Sequence, residues 1–186
     1  MGSGPCRRSM PIMLVPMTEY SFRVAAHDDI QAITDIYNAA VIRGGASADL
    51  TPRTLEQRQA WVDSHHDPYA VFVTLASTPN GGERVIGFSA LSVFYDRAGY
   101  DGVADLAYYI DPQWQGRGVG TFTLSELLDE CRNRHMRKAC GIIFADNIGS
   151  IALMRHFGFT RFGLMPQAAT DSTGTMRDMS YWYLDL

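Results

Sequence analysis

Apolar positions recur along this chain with two periods, and the changes of period mark out its elements. Ser21–Ala25 reads as a first strand. Asp28 and Asp29 follow as cap and first-turn acids of a helix carrying Ile30, Ile33, Ile36 and Tyr37 at helical spacing. Residues 43–53 read as a loop, and a second helix begins near Thr54 with Leu55, Gln59 and Val62 along one side. Tyr69–Leu75 is a strongly apolar strand, Asn80-Gly81-Gly82 a hairpin signal, and Arg84–Phe94 the returning strand. Val103–Ile110 is a further strand, closed by Asp111-Pro112. A helix then runs to about Arg134, Ala139–Phe144 makes a short strand and Ile148–Phe157 a helix. Arg161–Met165 and Asp178–Leu184 are the closing strands.

This order, β-α-α-β-β-β-α-β-α-β-β, has no internal repeat and no interdomain linker. It predicts a single α/β domain on a mixed, mostly antiparallel central sheet flanked by helices. The domain is expected to span residues 17–186. Residues 1–16 look at first like a signal peptide, with Arg7-Arg8 ahead of the apolar Pro11–Pro16. That apolar part is short and bounded by prolines, and no small-residue cleavage site follows. The segment is expected to be a disordered extension or a cloning remnant, with Met17 as a candidate start.

Composition narrows the partners. The chain is 46% hydrophobic over 186 residues, enough for one sizeable core. Lys and Arg number 16 against 20 Asp and Glu, a net charge of −4, and the one basic cluster is Arg7-Arg8. Nucleic acid is therefore not an expected partner. No apolar run approaches the ~18 residues of a membrane span. Cys6, Cys131 and Cys140 form no CxxC pair, and no histidine pair has metal-ligand spacing. Neither a disulfide framework nor a metal is expected, and a cytoplasmic setting fits. Cys131 and Cys140 read as small core residues, and His65-His66 as a polar loop.

The candidate chemistry concentrates at Gln115-Gly116-Arg117-Gly118-Val119-Gly120, directly ahead of a helix. Glycine in a helix costs about 0.5–1 kcal/mol relative to alanine. A glycine-rich turn in that place exposes backbone N–H groups at the helix's positive end, an anion site that phosphates commonly fill. A tight turn needing positive φ is the alternative. No Gly-Lys-Ser/Thr is present, which excludes a P-loop, and GxGxG after an antiparallel meander disfavours a dinucleotide site.

Gln115–Gly120 resembles the Gln/Arg-x-x-Gly-x-Gly/Ala pyrophosphate loop of the GNAT acetyltransferases. Asn147-Ile-Gly-Ser150 and Gly158-Phe159 resemble that family's later helix start and its Leu-Gly-Phe ending. The resemblance covers residues 21–186. It implies a GNAT fold with its sheet splayed in the middle and acetyl-CoA as acyl donor. It places the amides of Gln115, Gly116, Arg117, Gly118, Val119 and Gly120 on the pyrophosphate. The backbone of Tyr108, Tyr109 and Ile110 would follow the pantetheine arm, with Asn147 and Ser150 beside the cofactor. Arg97-Ala-Gly-Tyr100-Asp101-Gly-Val-Ala-Asp105 further resembles a stretch of the phosphinothricin and methionine sulfone/sulfoximine N-acetyltransferases. Ile33–Val41 and Tyr181–Leu186 are similar to that subgroup too. This implies acetylation of a small amino-acid-like amine, and a homodimer.

In this family a neutral amine attacks the thioester directly. Asp105 stands where the subgroup has a glutamate base; the other reading is a structural aspartate. An aspartate is shorter and ordinarily titrates near about 3.9, so it would act through water unless burial raises its pKa. Arg97 is the candidate for the substrate's acidic group, or else a solvated loop arginine. Phe94, Tyr95 and Tyr100 are candidate pocket walls. The oxyanion would meet the backbone N–H of Tyr109 or Ile110. Met154 occupies the place of the family's His or Tyr general acid and cannot donate a proton. His156 would point about 200° away around the helix, so the thiolate leaves unassisted or with help from a tyrosine such as Tyr109. Ala46–Pro52 lacks the subgroup's aromatic residue. Loops 43–53, 95–102 and 166–177 are expected to shape the pocket. Two rivals stay open: a different amine (a polyamine, an aminoglycoside or a protein N-terminus), or an acyl-CoA-binding regulatory module with little turnover.

Overall fold

Residues 20–186 are described by a computed structural model; the extension expected over residues 1–16 lies outside them. Strands β1 (Tyr20–Val24), β2 (Ala70–Ser77), β3 (Glu83–Val93) and β4 (Val103–Ile110) form an antiparallel meander. Strands β5 (Lys138–Phe144), β6 (Thr160–Thr170) and β7 (Met176–Asp185) complete one sheet in the order β1-β2-β3-β4-β5-β7-β6. Among the described strands, only the β4–β5 pair is parallel. Helix α1 (Ile30–Arg43) precedes α2 (Leu55–Asp63), α3 (Val119–Asn133) joins β4 to β5, and α4 (Ile148–His156) follows β5.

Both faces of the sheet are covered, which is why β2 reads as a nearly unbroken apolar run. Side-chain alternation divides it. Val71, Val73 and Leu75 pack with Ile30, Ile33 and Ile36 of α1. Phe72 points the other way, into a core built from Leu124, Leu127 and Leu128 of α3 and Met154 of α4. Thr54 and Gln57 make a reciprocal capping box that starts α2. At the far end of α2, His65 bridges the Trp61 carbonyl (2.8 Å) and the Ser92 hydroxyl (2.8 Å). Cys131 and Cys140 are buried core residues, and burial pushes the Cys131 thiol up to about 12.

One expected loop is shorter than residues 166–177: the β6–β7 hairpin runs on through Ala169↔Arg177 and Thr170↔Met176, leaving only residues 171–175 as the turn. The irregular stretch between Met165 and Ala169 is a bulge, with Gln167 at φ +49°. A bulge breaks the period-2 pattern that would have betrayed the strand.

A buried hydroxyl pair joins α3 to the sheet. Thr74 and Thr123 are fully buried and share a hydrogen bond of 2.7 Å. Removing one partner strands the other, whereas removing both removes the desolvation cost as well. Thr74→Val alone is expected to lose about 1–3 kcal/mol in chemical denaturation. The Thr74→Val/Thr123→Val double variant should recover most of that loss.

Candidate active site

β4 and β5 pair at only three positions, Val103↔Lys138, Ala104↔Ala139 and Asp105↔Cys140, and then part. A cavity of about 660 Å³ occupies the opening, walled by Leu106–Ile110 on one side and Ile142–Phe144 on the other. The start of α3 and the start of α4 reach its rim.

Gly116 and Gly118 hold φ of +74° and +82°, so the turn itself requires glycine there. Space around both is open: a Cβ at either would meet nothing within 4 Å. Gly120 has a different cause, since a Cβ there would come within 3.1 Å of Leu153 Cδ1 on α4. As the N-cap of α3, Gly118 has no side chain to bond the first-turn amides. The first helical bond runs from Phe122 N–H to the Gly118 carbonyl (3.0 Å). The earlier N–H groups therefore lack partners within the helix and carry its positive end. Gln115, Gly116, Gly118 and Gly120 line the cavity. Arg117 and Val119 do not: Arg117 lies over the Trp114 ring and Val119 is core. Asn147 caps α4, its Oδ1 accepting the Ser150 N–H at 3.1 Å, and both residues line the cavity.

Alternation along β4 separates its side chains. Leu106 and Tyr108 face α3 and α4, while Ala107 and Tyr109 face α1, as Asp105 must by the same alternation. Asp105 lines the cavity at the apex, its Oδ1 buried without a hydrogen-bond partner. Desolvation pushes its carboxyl up to about 6. Tyr109 stacks on Phe88 at 5.2 Å and meets Tyr37 edge-on, and burial raises its phenol far above the ordinary value. The Tyr108 hydroxyl is buried in the cleft wall near Ser150 and makes no hydrogen bond of good geometry among the described residues.

The loop expected over residues 43–53 does reach the cleft, and the fold adds ties there that sequence reading did not supply. Arg43, at the end of α1, lines the cavity and donates to Gln115 Oε1 (3.1 Å); Gln115 in turn donates to the Ile110 carbonyl (3.1 Å). Ala46, Ser47 and Ala48 line the cavity from the loop after α1. Tyr37 holds that loop by bonds to Ser47 (2.9 Å) and Asp49 (2.7 Å). Asp171, fully buried in the β6–β7 turn, accepts from Gly45 N–H (3.0 Å) and Arg177 Nε (2.7 Å). Bonds from Thr173 and Arg177 keep its carboxyl well below the usual range. Arg177 also pairs with Asp146, next to the start of α4. Local patterning carries no signal for these ties, because their partners lie far apart in the chain.

The four residues expected around the substrate do not line the cleft. After β3 the chain turns through residues 98–100 and enters β4 at Val103, the closed end of the β4–β5 pair. The cleft lies at the open end. Phe94 and Tyr100 instead line a separate depression of about 460 Å³ with Val103, Lys138, Cys140 and Tyr183. Tyr95 and Arg97 stand outside both, Arg97 over the Tyr95 ring at 5.6 Å. Asp105 of the cleft and Cys140 of the second depression are register partners at the apex, where burial and the Asp105 charge push the Cys140 thiol up to about 11. Met154 is fully buried, its sulfur packed against Gly141, and Leu153 faces the cleft instead.

A slot through a parted sheet, with free backbone edges along it and helix amides at one end, suits an extended thioester ending in phosphates. Such a site defines an acyltransferase fed by an acyl-CoA. Residues 30–159 match the Acetyltransferase (GNAT) family. The chain is 33% identical over 149 residues to YwnH of Bacillus subtilis, covering 80% of this chain and 89% of that one. It is 30% identical over 167 residues to the L-methionine sulfoximine/L-methionine sulfone acetyltransferase of Pseudomonas aeruginosa, covering 89% and 94%. The crystal structure of a GNAT superfamily phosphinothricin acetyltransferase from Sinorhizobium meliloti, in complex with AcCoA, is similar with a TM-score of 0.79 at 29% identity, over 90% of this chain and 88% of that one. The chain belongs to the GNAT family and is an acetyltransferase that uses acetyl-CoA.

Asp105 ties this site to stability. Its folded pKa, about 6, lies above the ordinary 3.8, so the folded state favours the protonated carboxyl. The resulting stability is present below pH ~4 and is lost as pH rises through about 6, a difference of about 3 kcal/mol. Asp105→Asn should therefore denature at higher urea than wild type at pH 7.5, with the advantage shrinking at pH 4. A variant less stable than wild type at pH 7.5 would overturn the desolvation account.

Proposed function

We propose that this acetyltransferase modifies the α-amine of a small amino-acid-like molecule of the phosphinothricin or methionine sulfone type, by direct attack on the thioester. The observation that carries this reading is Asp105, a carboxylate with its Oδ1 buried and unpaired, raised to about 6 at the apex of the cleft opposite Cys140 of the second depression. With that pKa, Asp105 is ionised near neutral pH yet basic enough to take a proton from an ammonium, directly or through one water. The acceptor enters from the Cys140 side, with Phe94 and Tyr100 as walls; Tyr95 and Arg97, on the same connection but outside the depression, present a guanidinium for the acidic group as it approaches. The names of the relatives support an amino-acid analogue as acceptor.

On the donor side, the amides of Gln115–Gly120 and the start of α3 hold the pyrophosphate, with Arg43 adding a cation. The unpaired edge of Tyr108, Tyr109 and Ile110 carries the pantetheine arm, alongside Asn147 and Ser150. The N–H of Tyr109 or Ile110 meets the oxyanion. Tyr109's side chain, stacked on Phe88 beneath α1, serves to set the strand and the acceptor wall. The acetyltransferase domain is taken as residues 17–186. The protein is taken to work in the cytoplasm as a homodimer. Free thiols at Cys131 and Cys140 support the compartment, and exposed Phe162 and Leu164 on edge strand β6 support the dimer.

Release of free thiol from acetyl-CoA, followed across a panel of amines, tests the acceptor. Saturable release with methionine sulfone or phosphinothricin is expected. Turnover confined to polyamines, aminoglycosides or protein N-termini would overturn the acceptor assignment, and CoA binding without turnover on any amine would sink the catalytic reading. Asp105→Asn should lower kcat at pH 7 by about 10²–10⁴-fold. It should also abolish the limb of the kcat/KM profile that rises through about pH 6. A variant profile matching wild type would remove Asp105 from the base role. Gly118→Val forces a β-branched side chain into φ +82° at the end of the slot. Acetyl-CoA affinity measured by calorimetry should fall at least about tenfold, with some loss of melting temperature.

A further inference from the structure

The Tyr108 hydroxyl is a hydrogen-bond donor without an acceptor. It is buried in the cleft wall and makes no hydrogen bond of good geometry among the described residues; the Ser150 side chain nearby favours its ionised form, as a donor and not an acceptor would. Leaving such a group unpaired costs about 1–3 kcal/mol, and native structures keep few of them. Its ring stands on the face of β4 turned toward α3 and α4, and the oxygen reaches the start of α4 beside Ser150. Burial pushes the phenol up to about 12, so it carries its proton at any working pH. In the wall of a slot that takes acetyl-CoA, the missing acceptor comes from the ligand.

Which ligand atom it meets follows from the two faces of β4. Asp105 lies on the α1 face and Tyr108 on the opposite one. An amine activated by Asp105 approaches the acyl carbon from the Asp105 side. The sulfur lies one bond further along the slot, toward the pantetheine arm, where Tyr108 lines the wall on the α3 and α4 face. On that side Met154 offers no O–H or N–H and is packed away against Gly141.

We propose that the Tyr108 hydroxyl donates a hydrogen bond to the departing sulfur, supplying from β4 the assistance that residue 154 on α4 does not provide. The amine adds to the acyl carbon, the carbonyl pair moving onto an oxyanion held by the Tyr109 or Ile110 N–H. Collapse of that oxyanion reforms the carbonyl and breaks the C–S bond, and the electron pair leaves on sulfur. The amine's proton passes to Asp105. An ordinary thiol titrates near about 8.5, well below the phenol, so the proton stays on the Tyr108 oxygen. The thiolate departs held by an O–H···S⁻ bond and takes its own proton from water. This rests on the reading of the cleft as the acetyl-CoA slot.

Tyr108→Phe tests it, because the change keeps the ring and removes only the unpaired oxygen. The ligand-free variant should melt at or above the wild-type temperature. A charge-assisted bond to sulfur corresponds to roughly 10–100-fold, so kcat should fall by that factor while KM for acetyl-CoA stays within about twofold. Calorimetry with CoA and with desulfo-CoA at pH 9.5 gives a readout independent of turnover. The variant should lose about tenfold in affinity for CoA and nothing for desulfo-CoA. Equal losses for both ligands would put the hydroxyl on the pantetheine arm and overturn the proposal, as would an unchanged kcat or a lowered melting temperature. Wild-type protein that bound neither ligand would instead overturn the reading of the cleft.

Discussion

The parting of β4 and β5 after Asp105↔Cys140 is the constraint on which the site depends. A buried strand edge without backbone partners is unfavourable, because unpaired N–H and C=O groups removed from water go uncompensated. Here that edge is tolerated because the strands are anchored elsewhere. β4 keeps seven register partners on β3, and β5 keeps seven on β7. The helices α3 and α4 brace the opening from one face through Leu124, Leu127 and Met154. The slot is thus a place where the sheet leaves hydrogen bonds unmade and a ligand can make them.

Position along the slot sets the chemistry of each group. At the closed end, desolvation raises Asp105 to about 6, turning a weak carboxylate into a usable base. At the open end, the glycine turn and the uncapped start of α3 present positive partial charge. Between them, β4 sends Tyr108 and Tyr109 to opposite faces, so neighbouring phenols meet different surroundings. The Asp171–Arg177 turn lies outside the slot yet sets its shape, since Asp171 holds Gly45 and with it the loop carrying Ser47.

Much of this was legible before folding. Every helix and strand was readable from periodicity, because burial on one face or two imposes the period on each element. The exception, residues 166–177, was hidden by a bulge that breaks the alternation. The glycine turn was legible as well, though its causes divide in the folded chain. Two of its glycines supply left-handed φ, and the third supplies contact with Leu153. The Arg43 guanidinium and the Tyr108 hydroxyl gave no sign, since a helix-end arginine and a strand tyrosine each have ordinary local explanations.

The sequence by itself determined the order of elements, the amide-rich turn and membership of the acetyltransferase family, because each is written in contiguous residues. Tertiary structure alone decided where the sheet opens, that Asp105 sits unpaired at the apex, and that Phe94 to Tyr100 lie at the closed end and not along the slot. The reason is physical: local pattern encodes which face of an element is apolar, whereas desolvation and proximity belong to whatever distant chain is packed against it.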